Sequence, residues 1–175
     1  MLVPKNRLIF WTAALVPVTA AALISTYGTA LLTVATSALA GIAILDAILG
    51  AGNIRKLNVS LQPVARTSTH SPTKLHAKIT NRTEQSFRLT LGLAFPETIK
   101  PDPFLLRIVL PQDVRQSGTH WTCTPEKRGC FRFEACYCEL LSPLGFWGAR
   151  RTFKCSSELR VYANLKQESR QFASL

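Results

Sequence analysis

Two long apolar runs open the chain, and short alternating ones follow. The first is Leu8 to Ile24 (LIFWTAALVPVTAAALI) and the second Thr29 to Leu49 (TALLTVATSALAGIAILDAIL), separated by Ser25-Thr26-Tyr27-Gly28. Each is close to the ~20 residues a helix needs to cross ~30 Å of hydrocarbon. As one helix, the uncharged stretch from Leu8 to Leu45 would reach ~57 Å, far too long for a bilayer. The pattern therefore predicts a transmembrane helical hairpin over residues 1–54, with helices at about 8–24 and 29–49. Tyr27 and Trp11 suit the two interfacial layers. Pro17 predicts a kink rather than a break, because membrane helices re-satisfy the freed carbonyl. Ser37 and Gly41, four apart, suit close helix packing. Gly50 to Asn53 (GAGN) reads as a short junction.

From Leu57 the apolar residues alternate. Leu57, Val59 and Leu61 share a face, as do Leu75, Ala77 and Ile79, and then Phe87, Leu89, Leu91, Leu93 and Phe95. That period of two marks half-buried strands. Further strands are expected at 104–110, 119–124, 130–140, 146–155 and 158–162, separated by turn residues such as Ser71-Pro72, Asn81-Arg82, Pro101-Asp102-Pro103, Gly129 and Pro143. Short strands so punctuated imply a β-sandwich or barrel over 55–163, and the size suits an immunoglobulin-like β-sandwich. Residues 164–175 are left as a tail or linker. The expected fold class is thus membrane-anchored all-β.

Charge sets the orientation. Of 21 Lys+Arg and 10 Asp+Glu, only Lys5, Arg7 and Asp46 precede Arg55. Lys5 and Arg7 flank the first run, Arg55 and Lys56 follow the second, and the intervening turn is uncharged, so both termini are expected in the cytoplasm. A rival reading makes residues 1–22 a cleaved leader ending near Ala20-Ala21-Ala22. The remaining basic excess suits the anionic lipid surface of the bilayer. It is scattered (Lys127-Arg128, Arg150-Arg151) rather than gathered in a nucleic-acid module, so no specific nucleic acid is expected as partner.

Chemistry is sparse. Cys123, Cys130, Cys136, Cys138 and Cys155 are odd in number and irregular in spacing, which fits neither a disulfide framework nor a zinc site. Cys136 and Cys138 would share a strand face, where a metal pair is conceivable, yet no His follows in sequence. His70 reads as loop, while His76 and His120 fall on strands. A Cys nucleophile with a His base needs only spatial proximity, so a Cys/His-dependent enzyme stays open as an alternative. The sequons at Asn58 and Asn81 have no meaning in a cytoplasmic domain, and there is no phosphate loop or H-E-x-x-H helix. We expect no catalytic, cofactor or metal residue and no small-molecule substrate.

Several short motifs then fall in order: Lys78-Ile79-Thr80-Asn81; Arg128-Gly129 opening CFRFEACYCEL; Ser142-Pro143-Leu144-Gly145-Phe146; and Val161-Tyr162. In order and spacing they resemble the N-terminal half of bacterial membrane proteins called domain of unknown function 58. Ser142 stands where that family usually has Asp, and Ala163 where it has Pro. The resemblance implies a two-pass protein of the bacterial inner membrane carrying an immunoglobulin-like sandwich. It also implies a partner, a MoxR-type AAA ATPase, in an envelope-related process. Members continue into a von Willebrand factor A-like domain, which would hold any metal-ion site; this chain stops about where that part should start. The motif residues read as fold-forming. Pro143 and Gly145 suit positions i+1 and i+3 of a type I turn, Gly129 suits a positive φ, and Arg128 could cap carbonyls or pair with Glu126 or Glu139. The expected function is a non-enzymatic membrane-anchored scaffold or assembly protein. The alternatives are the Cys/His enzyme and an anionic-lipid or nucleic-acid-binding module.

Overall fold

In the computed structural model, which describes residues 1–22, 27–83 and 85–163, the two apolar runs form α1 (Asn6–Ala22) and α2 (Gly28–Arg55), preceded by a short strand β1 (Leu2–Pro4). Ser25 and Thr26 of the expected turn, and the expected tail at 164–175, lie outside the described residues. The helices pack on one another. A Cβ on Gly28 would collide with the backbone of Ala22, so the reversal between them needs glycine at that point.

Among the described residues only α2 is long and apolar enough to cross a membrane. Of the expected pair of spans one is thus shown; α1 is described over 17 residues, with Pro17 inside it, and residues 23–24 of the expected first helix lie outside the described residues. In turn α2 is longer than expected. The Gly50 to Asn53 stretch is not a junction but helix, despite the cost of ~1 kcal/mol for each interior glycine. Packing overrides propensity here. Gly50 is buried with its missing Cβ only 3.1 Å from that of Ser142, and Ile54 is buried one turn later. Arg151 caps the helix end, its Nη1 donating to the carbonyls of Ile54 and Arg55 at 3.4 and 3.2 Å.

The chain divides into two compact units, one of Met1–Lys56 with Glu139–Arg151 and the other of Leu57–Cys138 with Thr152–Leu175. The second is a β-sandwich. Strands β2 (Leu57–Leu61), β3 (Val64–Ser68), β4 (Thr73–Asn81), β5 (Phe87–Leu93), β6 (Ile99–Asp102), β7 (Leu105–Leu110), β8 (Gln116–Pro125), β9 (Gly129–Leu141) and β10 (Trp147–Tyr162) follow in order. One sheet runs β2-β4-β8-β6. The other runs β10-β9-β5-β7, with β3 parallel on β10. The first unit holds the far ends of β9 and β10, where β1 pairs antiparallel with Trp147 to Ala149.

Leu75, Ile79 and Trp121 of the first sheet and Leu91 and Leu159 of the second are wholly buried, and the ring of Phe95 meets both Trp121 and Phe133 edge-on. The indole N–H of Trp121 has no acceptor among the described residues, where such a group costs ~1–3 kcal/mol. Some strands differ from expectation. The two at 146–155 and 158–162 are a single strand, since Ser157 points inward and donates to Gln62 O at 2.6 Å. Residues 64–68, for which no strand is expected, and 99–102, which include part of the expected Pro101-Asp102-Pro103 turn, are strands at sheet margins.

Replacing Leu91 by Ala should remove about 3 kcal/mol of stability, the usual cost of a buried leucine cavity. Denaturant titration of the full chain in micelles measures it; a loss below about 1 kcal/mol would mean that this sheet face is not the core.

Candidate functional site

The concentrated chemistry of the chain lies in the helical unit. On α2 the apolar side chains Leu31, Val34, Ile44, Leu45, Ile48 and Leu49 are all more than half exposed. From Thr29 to Leu49 they cover ~31 Å at 1.5 Å per residue, the thickness of a hydrocarbon core. On another side of the same helix Asp46 is only 1% exposed. A buried carboxyl without partners costs several kcal/mol. This one is met by the turn joining β9 to β10. Ser142 Oγ donates to Asp46 Oδ2 at 2.6 Å, the Phe146 N–H to the same oxygen at 3.1 Å, and the Leu144 N–H to Oδ1 at 2.9 Å. Ser142 Oγ accepts in turn from the Trp147 N–H at 3.0 Å, while Trp147 Nε1 donates to Ala43 O at 2.8 Å.

The turn is shaped for this. Gly145 N donates to Ser142 O at 3.0 Å, closing the four-residue turn that Pro143 starts, and Gly145 sits at φ 77°, where a side chain would be strained. Leu144 is half exposed at the tip, and its carbonyl accepts from Arg7 Nη1 at 3.3 Å. Beside it, Arg7, Phe10, Trp11, Leu144 and Phe146 line an open groove. Trp11 and Phe10 are exposed there, as interfacial aromatics are.

A second polar cluster joins Lys5, Glu139 and Arg150. Glu139 pairs with Lys5 and, at 2.6 Å, with Arg150 Nε. Burial raises the Glu139 carboxyl, but the hydrogen bonds and charge of Lys5 and Arg150 outweigh it and hold the group below its ordinary range. A depressed carboxyl stabilises the fold above the unfolded-state value, and this contribution is lost as pH falls through the folded one.

The motif residues separate by role. Pro143, Leu144, Gly145 and Phe146 form the turn on Asp46. Asn81 is buried and builds a turn of its own: its Oδ1 accepts from the N–H of Thr83 at 2.9 Å and its Nδ2 donates to Gln85 O at 3.2 Å. Gly129 has φ 153°. Val161 is buried and Tyr162 exposed at the end of β10, opposite Thr67 and Ser68 of β3. Arg128 is exposed and does not take the expected carboxylates, because Lys100 holds Glu126 at 2.6 Å and Lys5 and Arg150 hold Glu139.

The structure brings His76 and His120 together as directly opposed residues of β4 and β8, ring centroids 5.7 Å apart on the outer face. Cys123, Cys136 and Cys138 point inward and are buried. Burial pushes the Cys123 thiol up to about 11 and that of Cys136 up to about 12. Cys130 is exposed, its Sγ 2.5 Å from Glu158 Oε1, a contact that also raises it. Among the described residues no three His, Cys, Asp or Glu are grouped so that they could hold a metal ion. Sequence reasoning missed the part played by Asp46; its only signal was a lone acid inside an apolar run.

No family model and no curated protein matches the chain. Among solved structures it is similar to a protein of unknown function from Porphyromonas gingivalis W83, with 16% identity and a TM-score of 0.37 over 63% of this chain and 50% of that one. It is also similar to the CARDB domain of a Pyrococcus furiosus protein solved in complex with di-metal ions, with 9% identity and a TM-score of 0.36 over 62% and 94%. The chain thus spans half the length of the Porphyromonas protein.

Asp46→Ala would strip three donors of their acceptor and should cost about 3 kcal/mol or more, with Asp46→Asn intermediate since it keeps one carbonyl oxygen. Thermal unfolding and proteolysis within 142–147 report the change; an Asp46→Ala protein as stable and protected as wild type would refute this role. In native protein at neutral pH, maleimide should modify Cys130 first and reach Cys123, Cys136 and Cys138 only on denaturation. Mass mapping checks the order.

Proposed function

We propose that the chain is a two-pass protein of the bacterial inner membrane with both termini cytoplasmic, serving as a non-enzymatic scaffold or assembly factor. The observation that carries the reading is α2. Its best apolar window has a mean hydropathy of 2.0 and is only 11% buried. A soluble protein's core helix of that composition would be enclosed, and this one presents its apolar side chains outward. Nor does α2 resemble a detachable leader. Asp46 and Ala43 hold the β9–β10 turn through Ser142, Leu144, Phe146 and Trp147, so removing the helix would unmake that turn.

The second pass is α1, which leads from Lys5 and Arg7 toward the reversal at Gly28. The basic flanks at Lys5, Arg7, Arg55 and Lys56 support a common cytoplasmic side. The non-enzymatic reading is supported by the inward aim of Cys123, Cys136 and Cys138 while His76 and His120 face outward; alternation along β8 places His120 and Cys123 on opposite faces. The MoxR-type AAA ATPase remains the partner implied by the motif order.

Reporter fusions after Tyr162 test the anchor. A cytoplasm-restricted reporter should be active there and a periplasmic one silent; the reverse pattern would refute the two-pass arrangement. Affinity recovery from a native host should enrich a AAA ATPase with the chain in its natural reading frame, and its absence would remove that partner.

A further inference from the structure

A cavity of about 530 Å³ lies at the C-terminal end of α2, walled by Arg55, Arg150 and Arg151 and floored by Ala51, Ile54 and Ala149. Its lining residues include three arginines and no acidic residue. Two of the three are fixed in place. Arg151 is pinned by Nη1 to the carbonyls of Ile54 and Arg55, which also masks the negative end of the helix dipole. Arg150, next to it on β10, alternates to the other strand face and gives its Nε to Glu139 at 2.6 Å, which leaves Arg55 and Arg151 as the charges at the helix end. Arg55 makes no side-chain hydrogen bond among the described residues. Such forks match the oxygens of a phosphate, and a guanidinium held in advance loses less freedom on binding.

The depth of the cavity decides which phosphate. The exposed apolar surface of α2 ends at Leu49, and Ala51 to Arg55 follow by two to six residues, or ~3–9 Å of rise. A headgroup layer is ~5–8 Å thick on each side of the hydrocarbon. A zwitterionic headgroup would add a cation beside these arginines, whereas an anionic one adds none.

We propose that this cavity binds the phosphate-bearing headgroup of an anionic phospholipid from the leaflet that α2 enters at its C-terminal end. The inference rests on α2 being a membrane span. It is tested with the full chain in nanodiscs of phosphatidylcholine containing a minority of phosphatidylglycerol, with retained lipid read by native mass spectrometry. Wild type should retain phosphatidylglycerol in preference to phosphatidylcholine. Arg55→Gln should lower that preference roughly fivefold, the weight of one basic side chain at an anionic surface. Arg150→Gln, removing a side chain that Glu139 holds on the other strand face, should lower it less than Arg55→Gln, while Lys78→Gln, the same charge change on exposed β4, should leave it unaltered. Unfolding temperatures within a few degrees of wild type establish that the variants are folded, and Arg55→Gln alone suffices if Arg150→Gln is not. Equal retention of the two lipids, or a preference indifferent to Arg55→Gln, overturns the proposal. So does displacement of the lipid by millimolar inorganic phosphate, which would assign the cavity to a soluble phosphate compound. A chain washed from membranes by carbonate would refute the span itself, and this inference with it; insertion without lipid preference refutes the inference alone.

Discussion

A carboxyl group on an apolar helix must find hydrogen-bond donors or lose several kcal/mol, and α2 has no donors of its own to spare. Asp46 finds them in Ser142, Leu144 and Phe146, nearly a hundred residues later. Much of the helical unit follows from that match. The turn must expose two N–H groups on one side, which Pro143 and the positive φ of Gly145 arrange. Ser142 must come close, so a Cβ at position 50 would stand 3.1 Å from its own and press on it. Trp147 then lands on the Ala43 carbonyl, and the helix persists through its glycines to Arg55 because the turn and Arg151 hold it.

The arrangement divides α2 by side rather than by length. One side offers leucines, isoleucines and valines outward along a bilayer's thickness; the other carries the polar contacts over its last three turns. The sandwich is built on another basis, with little buried polarity beyond Asn81 and Ser157, each satisfied locally or by a neighbouring strand. Its stability comes from apolar area, while that of the helical unit depends on a few directed bonds.

What could be read in advance tracks this difference. Strands β4 and β5 were legible because burial follows strict alternation at Leu75, Ala77, Ile79 and at Phe87, Leu89, Leu91, and both apolar runs were legible as helices. Strand β3 was not: it buries only Ala65 among Arg66, Thr67 and Ser68, and it is held by pairing with β10 rather than by an apolar face. Strand β6 contains Pro101, and its place at a sheet margin is where a missing N–H is tolerated. Gly50 to Asn53 misled because propensity is local while the packing that overrides it is not. The Ser142 to Phe146 turn was legible as a turn, through Pro143 and Gly145, but its acceptor was invisible. Nothing in sequence links Asp46 to Ser142. Arg128 failed as an ion-pair candidate for the same reason, since Lys100 and Arg150 reach those carboxylates first in space.

The separation of Asp46 from its donors also fixes an order of events during synthesis. On the proposed reading of α2 as a membrane span, the helix inserts as it is made, and Ser142 emerges 96 residues after Asp46. At ~5–20 residues per second, Asp46 must wait roughly 5–20 s for its partners. Through that interval only water and headgroups can satisfy it. An acid in the middle of the span would spend those seconds in hydrocarbon; one turn from the outer edge, it can draw toward the interface until the turn arrives to cover it. On that reading the position of Asp46 near the end of the apolar stretch serves assembly as well as the finished fold.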